Sequence, residues 1–243
     1  MNVATTRRDQ FEREVAPSGP ARTEIHGRSI EIQNITKDYH TEIGLRRVLD
    51  NISFSIGAGE KIAILGQNGA GKSTLVRIIG GVLPPTSGSI HRGLTMSWPI
   101  AFSGGFSTNM SGLDNIRFIS RIYGVPFGDI LAYVDDFAEL GRQLFLPVRN
   151  YSSGMRARLA FALTLAIDFE CYLIDEVIAV GDQRFREKCH DALFVKKKDR
   201  AMILVTHHPS TLREYCNKAM VMKNGRGRVF SDVEFALSIY GSL

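Results

Sequence analysis

The sequence predicts an α/β fold with a mostly parallel sheet, an antiparallel β subdomain and a small α-helical subdomain. Short apolar runs that suit buried parallel strands occur at residues 61–65, 171–174 and 201–205. Apolar and polar residues alternate at 29–35 and at 51–56, which indicates half-buried antiparallel strands beside that sheet. A capping box at 111–114 opens a helix with an apolar stripe of Ile116, Ile119, Ile122 and Tyr123, and a second helix is expected at about 127–140.

A glycine-rich loop follows the first apolar run. It matches the phosphate-binding pattern G-x-x-x-x-G-K-S, and its residues are Gly66, Gln67, Asn68, Gly69, Ala70, Gly71, Lys72, Ser73 and Thr74. Glycines let backbone N–H groups converge on phosphate oxygens, and the N-terminus of the following helix adds partial positive charge. Lys72 would reach the β- and γ-phosphates, while the Ser73 hydroxyl would ligate Mg²⁺. The loop predicts a P-loop NTPase core that binds a nucleoside triphosphate.

Polar residues end the other two apolar runs, at the sheet edge where ligands bind in open parallel sheets. Asp175 would meet Mg²⁺ directly or through water, and Glu176 would polarise an attacking water as general base. The alternative is a chance acidic pair at a strand end. His207 follows the third run, where it could contact the γ-phosphate or could simply start a helix.

Two other segments have a functional and a structural interpretation. Tyr39 lies between the two alternating strands, where its ring could stack on adenine or cap the sheet edge. Ser152 or Ser153 would cap a helix whose apolar stripe packs inward, and an ordinary capped core helix is the alternative.

Composition excludes several classes of protein. The 243 residues contain no uncharged apolar stretch of about 18 residues, so we expect a cytoplasmic chain that does not cross a membrane by itself. The net charge is +5, and the dense basic run at 196–200 could bind nucleic acid or anionic lipid, or could be a solvated helix end. The three cysteines lack metal-ligand spacing and are expected to be reduced. Residues 1–27 are expected to be a flexible N-terminal extension.

Taken in order, residues 29–230 resemble the nucleotide-binding domain of an ABC ATPase. The resemblance implies an ABC ATPase domain at 28–243 with a helical subdomain at about 103–165, and ATP and Mg²⁺ as cofactors. It also implies a homodimer in which the signature helix of one subunit meets the γ-phosphate held by the Lys72 loop of the other. Tyr39 matches the family's adenine-stacking aromatic residue, and residues 66–74 match the Walker A motif. Ser153-Gly154-Met155 matches the signature, Asp175 the Walker B motif, and Glu176 the catalytic glutamate. Residues 179–182 match the D-loop, and His207 matches the switch histidine.

Two departures from the family pattern narrow the resemblance. The loop 97–110 contains no glutamine, and Phe102 and Ser103 stand nearest to its usual position. The signature has serine and methionine where glycine and glutamine are commoner, which implies slow or differently coupled hydrolysis. With segments 96–99, 102–106, 110–116 and 151–155, the chain is similar to the ATPase subunits of bacterial capsular polysaccharide exporters. This implies that the aromatic loop 98–106 and the helical insert dock on a separate integral-membrane permease, at the cytoplasmic face of the inner membrane.

Three other functions fit parts of the pattern. ATPase subunits that export O-antigen or teichoic acid are the nearest alternative. The net charge favours a soluble ABC ATPase acting on nucleic acid or the ribosome, but such proteins usually carry coiled-coil insertions or paired ATPase domains that this sequence lacks. No nucleic-acid partner is therefore expected. A small-molecule importer is disfavoured by the missing glutamine.

Overall fold

The computed structural model describes residues 28–42, 44–100, 107–175, 182–206 and 208–243. Within these ranges the strands form two sheets and are β1 (Ser29–Thr41), β2 (Gly44–Gly57), β3 (Lys61–Gly66), β4 (Ser87–Arg92), β5 (Cys171–Asp175), β6 (Ala201–Val205), β7 (Lys218–Lys223) and β8 (Arg226–Phe230). The α-helices are α1 (Lys72–Ile79), α2 (Gly112–Tyr123), α3 (Phe127–Ala138), α4 (Ser153–Ala166), α5 (Gln183–His190), α6 (Pro209–Tyr215) and α7 (Val233–Gly241).

The larger sheet has the strand order β5-β6-β3-β7-β8. The first four strands are parallel, and β8 pairs antiparallel with β7. The three apolar runs thus become neighbouring strands of one sheet, as the sequence predicts. Successive side chains of these strands point to opposite faces. Ile62, Ile64 and Leu173 pack with the antiparallel sheet and α1, whereas Ile174, Met202 and Leu204 pack with the helical layer that contains α4.

The smaller sheet has the order β2-β1-β4 and is antiparallel. Its strands are longer than the alternating segments at 29–35 and 51–56 predict, so Tyr39 lies inside β1 rather than between strands. The alternation breaks because Asn34 and Asn51 have φ values of 52° and 55°, and the pairing of β1 with β2 shifts register nearby. Bulges of this kind let a strand continue after its pattern of apolar residues is interrupted.

The predicted capping box is present at the start of α2. The Ser111 hydroxyl accepts the Asp114 backbone N–H at 3.0 Å and donates to the Asp114 carboxylate at 2.6 Å. Ile116 and Ile119 are buried, whereas Ile122 and Tyr123, at the C-terminal end of the apolar stripe, are exposed. The helix ends at Gly124 in the left-handed conformation.

Residues 96–100 form an irregular extension of the parallel sheet that sequence patterns do not reveal. Met96 and Ile100 make isolated parallel bridges to Cys171 and Ile174. The Ser97 N–H donates to the Cys171 carbonyl at 2.9 Å, and the Ser97 hydroxyl accepts the Leu173 N–H at 2.9 Å. This segment holds Trp98 next to the Asp175 strand. The remaining residues of the aromatic loop, 101–106, lie outside the described part of the chain.

Candidate functional site

The phosphate-binding loop connects β3 to α1, as the motif requires. Gly66, Gly69 and Gly71 have φ values of 156°, 82° and 104°, which side chains disfavour. A Cβ on Gly66 would lie 2.6 Å from the Met222 carbonyl oxygen, and one on Gly71 would lie 2.7 Å from Cδ2 of Leu49. A Cβ on Gly69 would meet no atom within 4 Å. Packing therefore requires glycine at two positions, and backbone conformation alone requires it at the third.

The other side chains of the loop differ in how much solvent reaches them. Ala70 is buried and closes a turn, because its N–H donates to the Gln67 carbonyl at 3.1 Å. Gln67, Asn68 and Ser73 are exposed, and Thr74 is half-buried. The predicted Mg²⁺ ligand Ser73 is thus accessible at the N-terminus of α1, where Gly71 is the N-cap and no acidic side chain occupies the first turn.

Lys72 is buried, with 8% of its surface exposed. Its ammonium donates to the carbonyl oxygens of Gly66 and Gln67, at 2.6 Å and 3.1 Å. These contacts fold the side chain back across the loop and partly satisfy a buried cation. A phosphate oxygen bound in the loop would offer the ammonium a negatively charged acceptor in place of neutral carbonyl groups.

Asp175 ends β5 at the same edge of the sheet as the loop. The register pairs Asp175 with Val205, and Val205 with Ile64, two residues before Gly66. Asp175 and Ser73 supply the oxygen ligands that Mg²⁺ prefers, so they fit this metal. Among the described residues no three His, Cys, Asp or Glu side chains form a metal-binding group. Mg²⁺ usually keeps phosphate oxygens and waters among its ligands, which would complete its coordination beside Ser73 and Asp175.

Tyr39 lies near the end of the β1–β2 hairpin. The strand register pairs Lys37 with Leu49, the residue that closely approaches Gly71, and Tyr39 is two residues farther along the strand. Tyr39 is 37% exposed, and the Lys37 ammonium lies 5.3 Å from the centroid of its ring. One part of the ring thus has a cation–π contact, while the exposed part offers a surface for a flat heterocycle.

The predicted signature residues form the first turn of α4. Ser152, rather than Ser153, is the N-cap, since its hydroxyl accepts the Met155 backbone N–H at 3.2 Å. Ser153 is exposed, Gly154 and Met155 are half-buried, and the first turn has no acidic side chain. The helix therefore presents an accessible N-terminus that favours an anion. The predicted catalytic residues Glu176 and His207 lie outside the described residues, as do Phe102, Ser103 and residues 179–181.

An ionic network next to α4 was not anticipated from the sequence. Arg158 of α4 donates to the Asp182 carboxylate at 2.8 Å, and its guanidinium carbon lies 4.6 Å from the Phe185 ring centroid. Asp182 also caps α5 by accepting the Phe185 N–H at 2.8 Å. The pKa of Asp182 is lowered mainly by the hydrogen bond from the Phe185 N–H and also by the positive charge of Arg158. Glu139, in the left-handed conformation after α3, lies 3.0 Å from the Lys188 ammonium and 3.7 Å from Arg158.

The basic run at 196–200 makes local ion pairs. Lys197 contacts the Asp168 carboxylate at 2.5 Å, and Arg200 contacts the other oxygen of that carboxylate. Lys196 lies 3.4 Å from Asp191. These pairs support the interpretation of the run as a solvated helix end and weaken the case for a nucleic-acid surface.

The cysteines are free, as expected, and burial raises the pKa of each thiol to about 12. In the part of the chain that the structure describes, none of the helices has the length and apolar character needed to span a bilayer.

Comparisons with known proteins place this arrangement in a family. A family model described as ABC transporter matches residues 49–179. The capsule polysaccharide export ATP-binding protein CtrD of Neisseria meningitidis serogroup B is 54% identical over 214 residues, which cover 88% of this chain and 99% of CtrD. The ATP-binding protein BexA of Haemophilus influenzae is 54% identical over 211 residues, covering 87% of this chain and 97% of BexA.

The fold agrees with solved structures at low sequence identity. A dimeric, post-hydrolysis state of the ATP-binding cassette MJ0796 bound to ADP and Pi superposes with a TM-score of 0.69 at 21% identity, covering 83% of this chain and 97% of that chain. At this identity the likeness supports the fold alone. Together with the family match and the two close relatives, it shows that this chain belongs to the ABC transporter family and is an ATP-binding ATPase.

Proposed function

We propose that this chain is the ATPase subunit of an exporter that moves a capsular or related cell-surface polysaccharide across the bacterial inner membrane through a separate permease. The observation that carries the proposal is the 54% identity to CtrD and BexA over nearly their whole lengths. We assign residues 28–243 to the ABC ATPase domain, with the helical subdomain at about 103–165 and an N-terminal extension at 1–27. The subunit would act at the cytoplasmic face of the membrane as a peripheral protein.

The nucleotide site follows from the loop and the sheet edge beside it. Residues 66–74 would hold the phosphates of ATP, and Tyr39 would stack on adenine. Ser73 and Asp175 would bind Mg²⁺, which supplies charge neutralisation on the phosphates. Glu176 would orient and deprotonate the attacking water, and His207 would contact the γ-phosphate.

Two subunits would close head to tail around two ATP molecules. In this arrangement Ser153, Gly154 and Met155 of one subunit face the γ-phosphate held by Lys72 of the other. The accessible N-terminus of α4, which has no acidic residue in its first turn, suits that anion. ATP thus supplies the contact that closes the dimer, and hydrolysis removes it.

An apolar surface on α2 supports the assignment of a permease-docking site. Phe118, Ile122 and Tyr123 are exposed by 47%, 56% and 40%, although α2 is otherwise anchored by buried residues. The Tyr123 ring packs against Trp98 and Phe169 at centroid distances of 5.7 Å and 5.4 Å. This aromatic group connects the exposed face of α2 to the segment that runs along the Asp175 strand, so force applied to α2 would reach the nucleotide edge.

Charge substitution on this surface tests the docking site. Ile122→Asp should abolish co-purification with the permease and export, while nucleotide binding by the free subunit stays unchanged, because the side chain is exposed and outside the loop. Trp98→Ala should weaken both docking and export. Val195→Asp, another exposed apolar position, is the matched control. Normal export by the Ile122→Asp and Trp98→Ala proteins would exclude this face as the docking site.

A further inference from the structure

One backbone carbonyl group lies between the phosphate-binding loop and a turn far away in the sequence. A Cβ built on Gly71 of the loop would lie 2.9 Å from the Val48 carbonyl oxygen. A Cβ built on Gly225 would lie 2.6 Å from the same oxygen. Both distances are shorter than Cβ atoms tolerate, so the two glycines pack closely on one peptide group.

Val48 is the extra residue of a β-bulge in β2. The pairing with β1 passes from Lys37 and Leu49 directly to Asp38 and Arg47, so the register passes over Val48. The extra residue of a bulge is left out of the ladder, and bulges occur often beside active sites. The ladder therefore holds the residues on either side of Val48, while the orientation of its peptide group also depends on what packs against it.

The turn that packs against Val48 belongs to the hairpin of β7 and β8. Asn224 and Gly225 have φ values of 49° and 79°, which suit a two-residue type I′ turn. One strand of this hairpin also contacts the start of the phosphate-binding loop, because Met222 pairs with Gly66. The hairpin thus supports the loop at its first glycine directly and at its last glycine through Val48.

Asp50 fastens the turn to β2, two positions after Val48. Its backbone N–H donates to the Gly225 carbonyl at 2.9 Å. Its carboxylate accepts hydrogen bonds from Arg226 at 2.8 Å and from Arg47 at 3.3 Å. The hydrogen bond from Arg226 above all, together with Arg47, holds the pKa of Asp50 below its usual value, so the carboxylate is ionised at neutral pH. The turn is therefore held by one residue through both its backbone and its side chain.

The position of Gly71 decides where the N-terminus of α1 points. Gly71 is the N-cap of this helix and precedes Lys72. Leu49, which follows Val48, is fully buried in the same core cluster as Ala70 of the loop. Hydrogen bonds weaken steeply as the donor turns away from its acceptor. A shift of the Val48 and Leu49 backbone would therefore misalign N–H groups proposed to bind phosphate.

We propose that Gly225 is a positioning residue for nucleotide binding, because it lets the β7–β8 turn, fastened by Asp50, hold the Val48 carbonyl against Gly71. Gly225 acts through Val48 and the loop rather than by contact with the nucleotide. The inference rests on the proposed binding of phosphates by residues 66–74. It predicts that disturbing the turn weakens the binding of any ligand that carries a chain of phosphates.

The Kd values of the full chain for ATP and for inorganic tripolyphosphate test the inference. Gly225→Ala should weaken the binding of both ligands roughly three- to tenfold, the range expected when one hydrogen bond to a charged group is impaired. Gly124→Ala is the matched control, since Gly124 has a φ of 67° but a Cβ there meets no atom within 4 Å. This control should keep both wild-type Kd values. Binding is measured at a temperature well below the thermal midpoints of both variants.

Asp50→Asn tests the same device without changing the backbone. It removes the charge that pairs with Arg226 and Arg47, and both arginine side chains are more than half exposed, so the thermal midpoint should change little. Both Kd values should nevertheless rise roughly two- to fivefold. Asp199→Asn, which removes an exposed carboxylate, controls for net charge. In the Gly225→Ala background, Asp50→Asn should cause no further loss, because the turn is already displaced.

Three outcomes separate the inference from its rivals. Wild-type Kd values for tripolyphosphate in Gly225→Ala and Asp50→Asn would overturn it, and Asp50→Asn alone decides if Gly225→Ala does not fold. Weaker binding of ATP with unchanged binding of tripolyphosphate would also overturn it, since the effect would then act on the adenine side of the site. Unchanged binding of both ligands by Lys72→Met would instead refute the assignment of the phosphate-binding loop.

Discussion

The Arg158 guanidinium lies 2.8 Å from the Asp182 carboxylate and joins the signature helix α4 to helix α5 within one subunit. The same guanidinium packs on the Phe185 ring at 4.6 Å and approaches Glu139 at 3.7 Å. Asp182 has two roles, because it also caps α5. The pair therefore connects the N-terminal half of α4 to the start of α5.

This ion pair should contribute little to folding stability despite its short distance. Asp182 is 64% exposed, and solvent screens pairs of this kind strongly. Asp182→Asn keeps the cap but removes the pair, whereas Arg158→Met also removes the contact with Phe185. A double-mutant cycle from urea unfolding should give a small coupling free energy that shrinks at higher salt. A large coupling free energy that does not change with salt would contradict this expectation.

The loop glycines should differ in what they contribute to stability. Gly66→Ala places a methyl group against the Met222 carbonyl as well as in a disfavoured conformation, so we expect a loss of about 3 kcal/mol or more in the free energy of unfolding. Gly69→Ala meets only the conformational penalty, about 1–2 kcal/mol. Denaturant unfolding of the nucleotide-free chains measures both. Equal losses for the two variants would contradict the packing difference.

Lys72→Met should separate nucleotide binding from folding. The ammonium donates to two loop carbonyls, and a phosphate would be a stronger acceptor for it. Loss of one charged hydrogen-bonding group should weaken ATP binding roughly 10- to 100-fold. Calorimetric titration with ATP measures this, with the exposed Lys198→Met as control. Unchanged affinity for Lys72→Met would remove Lys72 from the site.

Glu60 should contribute to the acid sensitivity of the fold. Burial opposes its ionisation, but the Lys218 ammonium at 2.6 Å and the Gly57 N–H at 2.9 Å outweigh burial, so the pKa of Glu60 lies below its usual value. A lowered pKa in the folded state means that the contribution to stability is complete above the unfolded value near 4.5 and is lost as pH falls through the folded value.

Unfolding measured from pH 7 to pH 3 tests this contribution. Glu60→Gln should be less stable than wild type at pH 7, and the two curves should converge as pH falls through the lowered pKa of Glu60 in the folded state. Glu42→Gln, which removes an exposed carboxylate, controls for net charge. Parallel curves for wild type and Glu60→Gln across the whole range would contradict the assignment.

The elements and the loop could be predicted from sequence because they depend on local patterns. The apolar runs predict strands, the Ser111 capping box predicts the start of a helix, and the glycine spacing predicts the phosphate-binding loop. Tyr39 was misplaced outside a strand because left-handed asparagines at 34 and 51 interrupt the alternation. The exposure of Ile122 could not be predicted, because helical periodicity identifies an apolar stripe but does not show where the element packed against it ends.

Side-chain contacts between helices could not be predicted in the same way, because the two partners lie far apart in the sequence. Arg158 and Asp182 are 24 positions apart, and His190 and Tyr215 are 25 apart. Only the packing of α4, α5 and α6 on one sheet brings these pairs together, and no short motif marks either partner. Arg158 stands in the second turn of the predicted signature helix, but the sequence does not identify the acidic residue with which it pairs.

The central claim, that ATP hydrolysis by this chain drives polysaccharide export, is tested most directly in cells whose only copy carries Glu176→Gln. This change removes the proposed general base and should leave ATP binding intact. Surface polysaccharide and internal polysaccharide should be measured in parallel, with wild type as reference. We predict loss of surface polymer with accumulation of polymer inside the cell. A normal amount of surface polymer would contradict the proposed function.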